Sequence, residues 1–177
     1  MTANHALVLT ANATAGFAAG CLDRPELESL PDTELALRCR DASPRDLTAF
    51  RVLLVRHEPA VFDVCHQLVG DTVAAEATGD DVFIAVLHEI GDFDPAVVNF
   101  RPWLFRRVIR LCRERGMPVS GGVFAGLDAA AREIAALRLF GKLSAREIAA
   151  VLGLAEPELR VRLWRALEAM GGHRTAA

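Results

Sequence analysis

The stretch LSAREIAAVLGL, residues 143–154, decides the fold of the C-terminal part of the chain. Ser144 is followed three residues later by Glu147, and this capping box predicts the start of a helix. Gly153 permits a tight turn after that helix, and Pro157 is acceptable in the first turn of the next one. The buried side of the first helix would consist of Ile148, Ala149, Val151 and Leu152. The stretch therefore predicts a helix-turn-helix.

The helix after the turn, residues 157–170, combines an apolar side with a basic one. The inward side would carry Leu159, Leu163 and Ala166, and the helix presents Arg160, Arg162 and Arg165. Arginine suits the major groove of DNA because phosphates flank the groove and guanine edges accept two hydrogen bonds from one guanidinium. We therefore expect this helix to read duplex DNA. A three-helix bundle without a DNA role is the alternative for this segment.

The rest of the chain shows helical periodicity and no alternating strand pattern of convincing length. Residues 116–126 contain the richest Gly, Pro and Ser patch, which predicts a domain boundary. We expect an all-α protein of two small helical domains, residues 30–115 and 127–170, joined by that short linker. Residues 1–29 and 171–177 would be flexible tails.

Local signals place the helices of the first domain. Asp32 can cap a helix, and Ser43-Pro44 separates two short helices. Pro59 is predicted to open a third, long helix. The helical periodicity resumes over residues 73–90 and again, after a turn, over residues 100–112.

Composition places the chain among globular proteins, since its 177 residues are 52% hydrophobic and 24% charged, with a net charge of −3. A negative net charge argues against a protein that coats nucleic acid without specificity. The charges are segregated: residues 61–94 contain eight acids and no Lys or Arg, whereas residues 101–115 contain six arginines and one Glu. This pattern predicts two partners, one cationic or proteinaceous and one anionic. Two solvated helix faces are the alternative.

The sequence offers no motif of catalysis, metal binding or secretion. The four cysteines are far apart, without a C-x-x-C pair, so we expect reduced thiols that lie mostly in the core. His57, His66 and His88 lack carboxylate and nucleophile neighbours at a useful spacing, and we read them as surface or core histidines. Residues 1–20 lack the basic start and the continuous apolar run of a signal peptide. We expect a cytoplasmic protein with no enzymatic activity, cofactor or membrane span.

Two regions of the chain resemble the extracytoplasmic-function (ECF) subfamily of sigma-70 RNA polymerase sigma factors. Residues 127–170 are similar to the family's C-terminal domain, on the matching residues Arg132-Glu133, Leu137-Arg138, Leu143-Ser144, Glu147-Ile148-Ala149, Leu152-Gly153, Arg162 and Arg165-Ala166. Residues 32–115 are similar to its N-terminal domain. The matching residues are Asp32, Glu34-Leu35, Arg38, Ala49-Phe50, Leu53-Leu54, Val82-Phe83, Phe93-Asp94 and Phe100-Arg101 with Trp103-Leu104-Phe105-Arg106. The two domains stand in the family's order, which makes the resemblance more specific than either motif alone.

The resemblance implies a sigma factor that binds core RNA polymerase and promoter DNA, and for which an anti-sigma factor is a candidate partner. The C-terminal domain would read the upstream promoter element as duplex, with the candidate residues Ser144, Arg146, Arg160, Arg162 and Arg165. The N-terminal domain would capture the downstream element as a single strand, with Phe100, Arg101, Trp103, Arg106, Arg107 and Arg110. Aromatic rings beside cations suit stacked bases and their phosphates, although for Trp103 a core role is the alternative. Polymerase docking would involve Glu76, Asp80, Asp81 and Phe83.

The chain departs from the family pattern in two helices. The family's central helix usually carries D-x-x-Q-E. This chain has Ala77 at the first of these positions, Gly79 at the third and Asp80 at the fourth. We therefore expect altered docking on polymerase. In the last helix, Val161 and Trp164 occupy positions that are usually polar, which predicts weaker, more salt-sensitive DNA affinity or a partner-binding face. The alternative function is therefore a sigma-like decoy that binds an anti-sigma factor or polymerase without reading DNA.

The chain ends in Ala176-Ala177, which is similar to tags read by bacterial ATP-dependent proteases. We expect these two residues to act as a degradation signal, with an unremarkable frayed end as the alternative.

Overall fold

The computed structural model describes residues 25–42, 46–116, 124 and 126–172, and within these ranges it contains helices and no strand. The prediction of an all-α fold is confirmed. The α-helices of this part of the chain are α1 Pro25–Glu28, α2 Asp32–Asp41, α3 Leu47–Val69, α4 Thr72–Glu89, α5 Phe100–Arg115, α6 Ala129–Leu139, α7 Ala145–Leu152 and α8 Glu156–Gly172, with a 3₁₀ turn at Ile90–Asp92 between α4 and α5. None of these helices combines the length and the apolar character that crossing a bilayer requires.

Several sequence predictions concern residues outside the described ranges. They are the tail at residues 1–24, the Ser43-Pro44 break, most of the linker at residues 116–126 and the degradation signal at Ala176-Ala177. These remain predictions.

The N-terminal bundle is built around α3, which packs against α2, α4 and α5. Asp46 caps the start of α3, because its carboxylate accepts hydrogen bonds from the backbone N–H groups of Thr48 and Ala49. Gly70 ends the helix in the left-handed conformation, at φ 79°. The side chains buried between these helices are apolar and include Leu35, Leu53, Val64, Leu68, Val82, Val86, Leu104 and Val108.

Pro59 lies inside α3 and does not open a helix, so that prediction is wrong. The buried residues Leu53, His57 and Val61 follow one another at helical spacing on both sides of Pro59. Their burial against the neighbouring helices keeps α3 continuous, although a proline in the interior of a helix removes one backbone hydrogen bond.

Asp32 does not cap α2 either, because Pro31 occupies the cap position and Asp32 is the first helical residue. Its carboxylate instead accepts hydrogen bonds from Arg56 Nη1 at 2.5 Å and pairs with His57 Nε2 at 2.8 Å. Burial would raise the pKa of Asp32, but the hydrogen bonds from His57 and Arg56 outweigh it and lower that pKa to about 2. The carboxylate therefore ties α2 to α3.

Arg56 also orders the segment before α2, since it donates to the backbone carbonyls of Glu28 and Leu30. Residues 25–28 form the helical turn α1, and Leu27 is buried in the core. The structure therefore differs from the predicted tail at residues 1–29, whose last residues belong to the folded bundle.

The C-terminal helices α6, α7 and α8 pack against one another, and their local geometry follows the capping and turn predictions. Ser144 Oγ accepts from the backbone N–H of Glu147, and the Glu147 carboxylate accepts from the backbone N–H of Ser144 at 2.8 Å. The capping box is therefore confirmed. Gly153 adopts the left-handed conformation at φ 67°, and Pro157 lies in the first turn of α8.

The two helical segments share one continuous hydrophobic cluster. Helix α5 packs against α7, and α3 packs against α6. The division into two separate domains remains a prediction, and in this conformation residues of both segments contribute to the same core.

We predict that Asp32→Asn lowers the free energy of unfolding by about 1–3 kcal/mol at pH 7, because Arg56 and His57 lose an ionised acceptor. The pKa of Asp32 in the folded protein lies below the ordinary value of 3.8. The ionised carboxylate therefore stabilises the fold fully above about pH 4, and this stabilisation is lost as the pH falls through about 2. Urea unfolding at pH 7, 5 and 3 should show the difference from the parent protein shrinking with acid. Asp63→Asn, at an exposed position of α3, is the control. A difference that stays constant over this pH range would contradict the prediction.

We predict opposite effects for two glycine-to-alanine substitutions. Gly79 lies within α4, and a Cβ there would meet Val61 Cγ1 at 3.9 Å, an ordinary contact. Gly79→Ala should therefore raise the free energy of unfolding by about 0.5–1 kcal/mol. Gly153→Ala should lower it by about 1 kcal/mol, because the left-handed backbone strains any residue with a Cβ. Urea unfolding of both variants checks this pair, and a destabilised Gly79→Ala would contradict it.

Candidate nucleic-acid and polymerase surfaces

The two aromatic candidates for single-strand capture lie in the core of the N-terminal bundle. Phe100 and Trp103, both buried, pack together with Phe93, whose ring lies 5.8 Å from that of Phe100 and 5.4 Å from that of Trp103. Trp103 therefore has the core role that was the alternative to base stacking. Neither ring offers a face to solvent in this conformation, so a role in base stacking stays a prediction.

Arg107 belongs to the same buried cluster. Its guanidinium lies over the Trp103 ring at 3.3 Å, donates to the Trp103 carbonyl at 2.8 Å and pairs with Glu89 Oε2 at 2.7 Å. Burial lowers the pKa of Arg107, and the Glu89 carboxylate opposes that change. Arg110, which is exposed, pairs with the other oxygen of Glu89 at 2.8 Å. Glu89 thus neutralises two of the arginines predicted to contact DNA.

Arg101 and Arg106 reach across to the C-terminal helices. Arg101 Nη2 donates to the carbonyl of Gly141, just after α6, at 2.5 Å. Arg106 donates from Nε at 3.0 Å and from Nη2 at 2.7 Å to the carbonyl of Ala150, in the last turn of α7. Carbonyls in the last turn of a helix lack intrahelical donors, so Arg106 acts as a side-chain cap of α7. All four arginines of the predicted single-strand surface therefore have partners within the protein.

Two interactions on α5 were not predicted from the sequence. Arg113 forms a bidentate ion pair with Glu133 of α6, with oxygen distances of 2.6 and 2.7 Å, and Arg115 pairs with Asp81 of α4. The acidic partners of α5 are 18 or more positions from their arginines in the chain, and no local spacing rule connects residues so far apart.

The candidates for upstream-element binding divide into paired and unpaired residues. Arg160 pairs with Glu156 and Arg162 with Glu158, each at 2.6 Å and one helical turn apart. Arg146 and Arg165 are exposed and have no ion-pair partner among the described residues. The hydroxyl of Ser144 is engaged in the capping box.

An apolar stripe lies exposed on α8. It consists of Val161, Trp164 and Leu167, and Trp164 is 60% exposed. Residues three apart on a helix lie on the same face, so these side chains form one surface beside the arginines. Leu159 and Ala166 are buried on the opposite side, as predicted.

The candidates for polymerase docking lie on α4. Glu76 is exposed, and Asp80 and Asp81 are half-buried. Burial raises the pKa of Asp80, and the nearby carboxylates of Asp81, Glu58 and Glu76 raise it further. Phe83 is buried, so it positions α4 and offers little surface to a partner.

The described cysteines are buried thiols, as predicted. Cys65 and Cys112 face each other with their Sγ atoms 3.8 Å apart, and Cys39 is also buried. Their mutual hydrogen bond and their burial raise the pKa of Cys65, which keeps it protonated. Among the described residues no cluster of His, Cys, Asp or Glu has the composition to hold a metal ion.

Comparison with known proteins adds to this geometry. A family model described as Sigma-70 region 2 matches residues 53–115, which cover most of α3 and all of α4 and α5. No curated protein sequence matches the chain. The fold is similar to the solved structure of CnrH, an ECF sigma factor, in complex with the cytosolic domain of CnrY. The two proteins superpose with a TM-score of 0.72 at 27% sequence identity, over 82% of this chain and 97% of CnrH.

The match of the N-terminal helices to a sigma-70 region and the shared fold agree with each other and with the sequence motifs. Sigma factors are regulatory proteins without enzymatic activity. Residues 53–115 thus match a sigma-70 region, and the shared fold and the sequence motifs support the extracytoplasmic-function subfamily of sigma-70 RNA polymerase sigma factors.

Proposed function

We propose that this sigma factor binds core RNA polymerase and directs promoter-specific transcription initiation. Residues 30–115 dock on polymerase and capture the downstream promoter element, and residues 127–170 read the upstream element. The observation that carries the proposal is the α7–turn–α8 unit, in which a helix with three exposed arginines follows a tight turn. The match of residues 53–115 to Sigma-70 region 2 supports the assignment of the N-terminal part.

The charges on α7 and α8 suit contact with a phosphate backbone. Arg146 and Arg165 have no acidic partner to displace among the described residues. Arg160 and Arg162 are held by exposed i,i+4 ion pairs, each worth only about 0.3–0.5 kcal/mol, so a phosphate or a guanine edge can replace the glutamates at little cost. Trp164, beside them, offers apolar contact to thymine methyl groups.

The acidic cluster on α4 suits a cationic surface of polymerase. Burial raises the pKa of Asp80, and repulsion from the nearby carboxylates of Asp81, Glu58 and Glu76 raises it further. A basic partner would relieve this repulsion and favour the ionised carboxylates. Ala77 stands where the family pattern has Asp and Asp80 where it has Gln, so this helix keeps its acidic character.

An anti-sigma factor is the further partner in this proposal. The structurally similar CnrH is bound to the cytosolic domain of CnrY, an anti-sigma factor. We propose that the present chain binds a partner of the same type. The cytoplasm is the location that transcription initiation requires. Degradation through Ala176-Ala177 by an ATP-dependent protease is a separate proposal, which an unchanged half-life after replacement of both residues by Asp would rule out.

We predict that Arg146→Ala combined with Arg165→Ala lowers promoter-specific initiation by about thirtyfold or more, because each of the two lost base or phosphate contacts is worth about 1–3 kcal/mol. The measurement is reconstituted transcription with core polymerase on a promoter library. Arg174→Ala, which removes an arginine outside both proposed binding segments, is the control and should initiate normally. Full initiation by the double variant would contradict the assignment of this face, and no specific initiation by the parent protein would overturn the proposed function.

The decoy is the second candidate function, and the exposed apolar stripe Val161, Trp164 and Leu167 is the observation that favours it. Arg160→Glu with Arg162→Glu separates the two candidates. A DNA-reading helix loses upstream-element binding in this variant, measured by fluorescence anisotropy with a labelled duplex, whereas a decoy is unaffected. Circular dichroism checks that α8 stays helical despite the new glutamate pairs. Polymerase binding without initiation by the parent protein would favour the decoy.

A further inference from the structure

The exposed apolar stripe of α8 is bounded at each end by one charged residue. Val161, Trp164 and Leu167 are 49%, 60% and 41% exposed. Arg160 precedes this stripe and Glu168 follows it, and both side chains are exposed. At about 100° per residue, all five lie within about 60° of Trp164 around the helix. They form one surface with a basic start, an apolar middle and an acidic end, which we call the α8 face.

The α8 face is open to solvent in the part of the chain that the structure describes. Leu159 and Ala166, on the opposite side of α8, are the residues that pack in the protein core. Arg160 is held only by an exposed ion pair with Glu156, one turn earlier, and pairs of this kind are weak. Glu168 has no ion-pair partner among the described residues. Both charges are therefore available to a partner, and removal of the apolar stripe from water favours association.

The order of residues along the α8 face makes it complementary to itself. In an antiparallel pair of α8 helices with Trp164 opposite Trp164, each residue lies level with the one equally far on the other side of Trp164. Arg160 then lies level with Glu168 of the second copy, and Val161 lies level with Leu167. Packed helices have axes about 8–10 Å apart, a separation that long Arg and Glu side chains can bridge. Two-fold symmetry repeats each contact, which gives two ion pairs around one apolar centre.

The charges also select the direction of the pairing. A parallel arrangement would place Arg160 level with Arg160 and Glu168 level with Glu168, which is repulsive at both ends. We propose that the α8 face is a homodimer interface in which two copies of this chain pair antiparallel about Trp164. This interface goes beyond the proposed function and does not require it.

The size of the α8 face sets the strength of the dimer. Stable protein interfaces bury about 800 Å² on each partner, and one helix face with three apolar side chains is smaller than that. We therefore expect a dissociation constant in the micromolar range and a rapid monomer–dimer equilibrium. The dimer covers Arg160 and Trp164, so a second copy and duplex DNA compete for this helix. This competition alone rests on the proposed function.

Sedimentation velocity of the full chain, over concentrations below and above the expected dissociation constant, tests the pairing. Arg160→Glu puts two pairs of acids level with each other, and Glu168→Arg puts two pairs of arginines level. Each single variant should raise the dissociation constant at least about tenfold, because two ion pairs become two like-charge contacts. The double variant, with the two charges exchanged, should return close to the parent value.

A mixture of the two single variants is the sharper test. One variant carries acids at both ends of the α8 face and the other carries arginines at both ends. A dimer of one copy of each therefore regains both ion pairs. We expect the mixture to associate like the parent protein while each variant alone stays monomeric. A general loss of folding predicts no such recovery.

The matched control is the other ion pair of α8. Glu158 and Arg162 form a contact with the same spacing and the same length of 2.6 Å, but both lie more than about 100° around the helix from Trp164. Glu158→Arg and Arg162→Glu should leave the dissociation constant unchanged. Circular dichroism checks the helix content of every variant, and Arg160→Gln and Glu168→Gln replace any swap that fails to fold. Each neutral variant should weaken the dimer about threefold.

Tryptophan fluorescence locates the contact without a change of charge. The chain has two tryptophans, of which Trp103 is 6% and Trp164 60% exposed. The emission of Trp164 should therefore shift to shorter wavelength as the concentration rises. Trp164→Phe keeps an aromatic ring in the interface, so the dimer should persist while the shift disappears. Trp164→Ala should abolish the dimer.

A parent protein that stays monomeric throughout would overturn the dimer and leave the α8 face to DNA or to a different protein. A dimer that is insensitive to the swaps at Arg160 and Glu168 would overturn its placement on α8. A mixture of the single variants that fails to associate would overturn the antiparallel register.

The sedimentation and fluorescence experiments contain neither DNA nor polymerase. If the parent protein dimerises but does not initiate transcription, the proposed function fails and the interface stands. If it initiates transcription and stays monomeric, the interface alone fails.

Discussion

The structure depends on one constraint: α5 is buried on two sides although it carries six arginines. One side, with Leu104 and Val108, packs in the N-terminal bundle, and another, with Phe105 and Ile109, is covered as well. Burial of a guanidinium is costly, and hydrogen bonds or an ion pair from the protein offset much of that cost. Each cation of α5 therefore has a partner on a different element, and these partners determine how the other helices can pack.

Those partners explain why the two halves of the chain form one core. Glu89 at the end of α4 holds Arg107 and Arg110, and Asp81 of the same helix holds Arg115, so α4 and α5 are bound along their lengths. The remaining arginines turn toward α6 and α7 and bind backbone carbonyls and Glu133. The apolar burial of Phe105, worth about 1.5–3 kcal/mol for a side chain of this kind, strengthens the same contact.

The proposed function requires the internal contacts of these arginines to be exchangeable for contacts with DNA. A phosphate oxygen and a backbone carbonyl are both acceptors, so a guanidinium can pass from one to the other without remaining unsatisfied. The exposed ion pairs of α8 have the same property, because the glutamates that hold Arg160 and Arg162 are bound weakly. Basic side chains in this protein are thus held by internal partners that the proposed contacts with DNA can replace.

The sequence by itself determined the helices and the signals at their ends. The capping box of Ser144 and Glu147, the tight turn at Gly153 and the apolar side of α8 were all predicted, because capping, turns and periodicity depend on residues within a few positions of one another. The same local reasoning failed at Pro59 and Asp32. There, packing of α3 against its neighbours and the ion pairs of Asp32 with Arg56 and His57 outweighed the local preferences.

Only the tertiary structure decided the roles of the arginines on α5. Residues 101–115 read as one basic segment, but the structure places Arg107 over the Trp103 ring and directs Arg101 and Arg106 to the C-terminal helices. Glu89 and Glu133, which hold three of these arginines, lie in other helices and carry no local signal. The partner of a long charged side chain is set by which helices pack together. That packing follows from the burial of the whole apolar surface, so it cannot be read from the spacing of neighbouring residues.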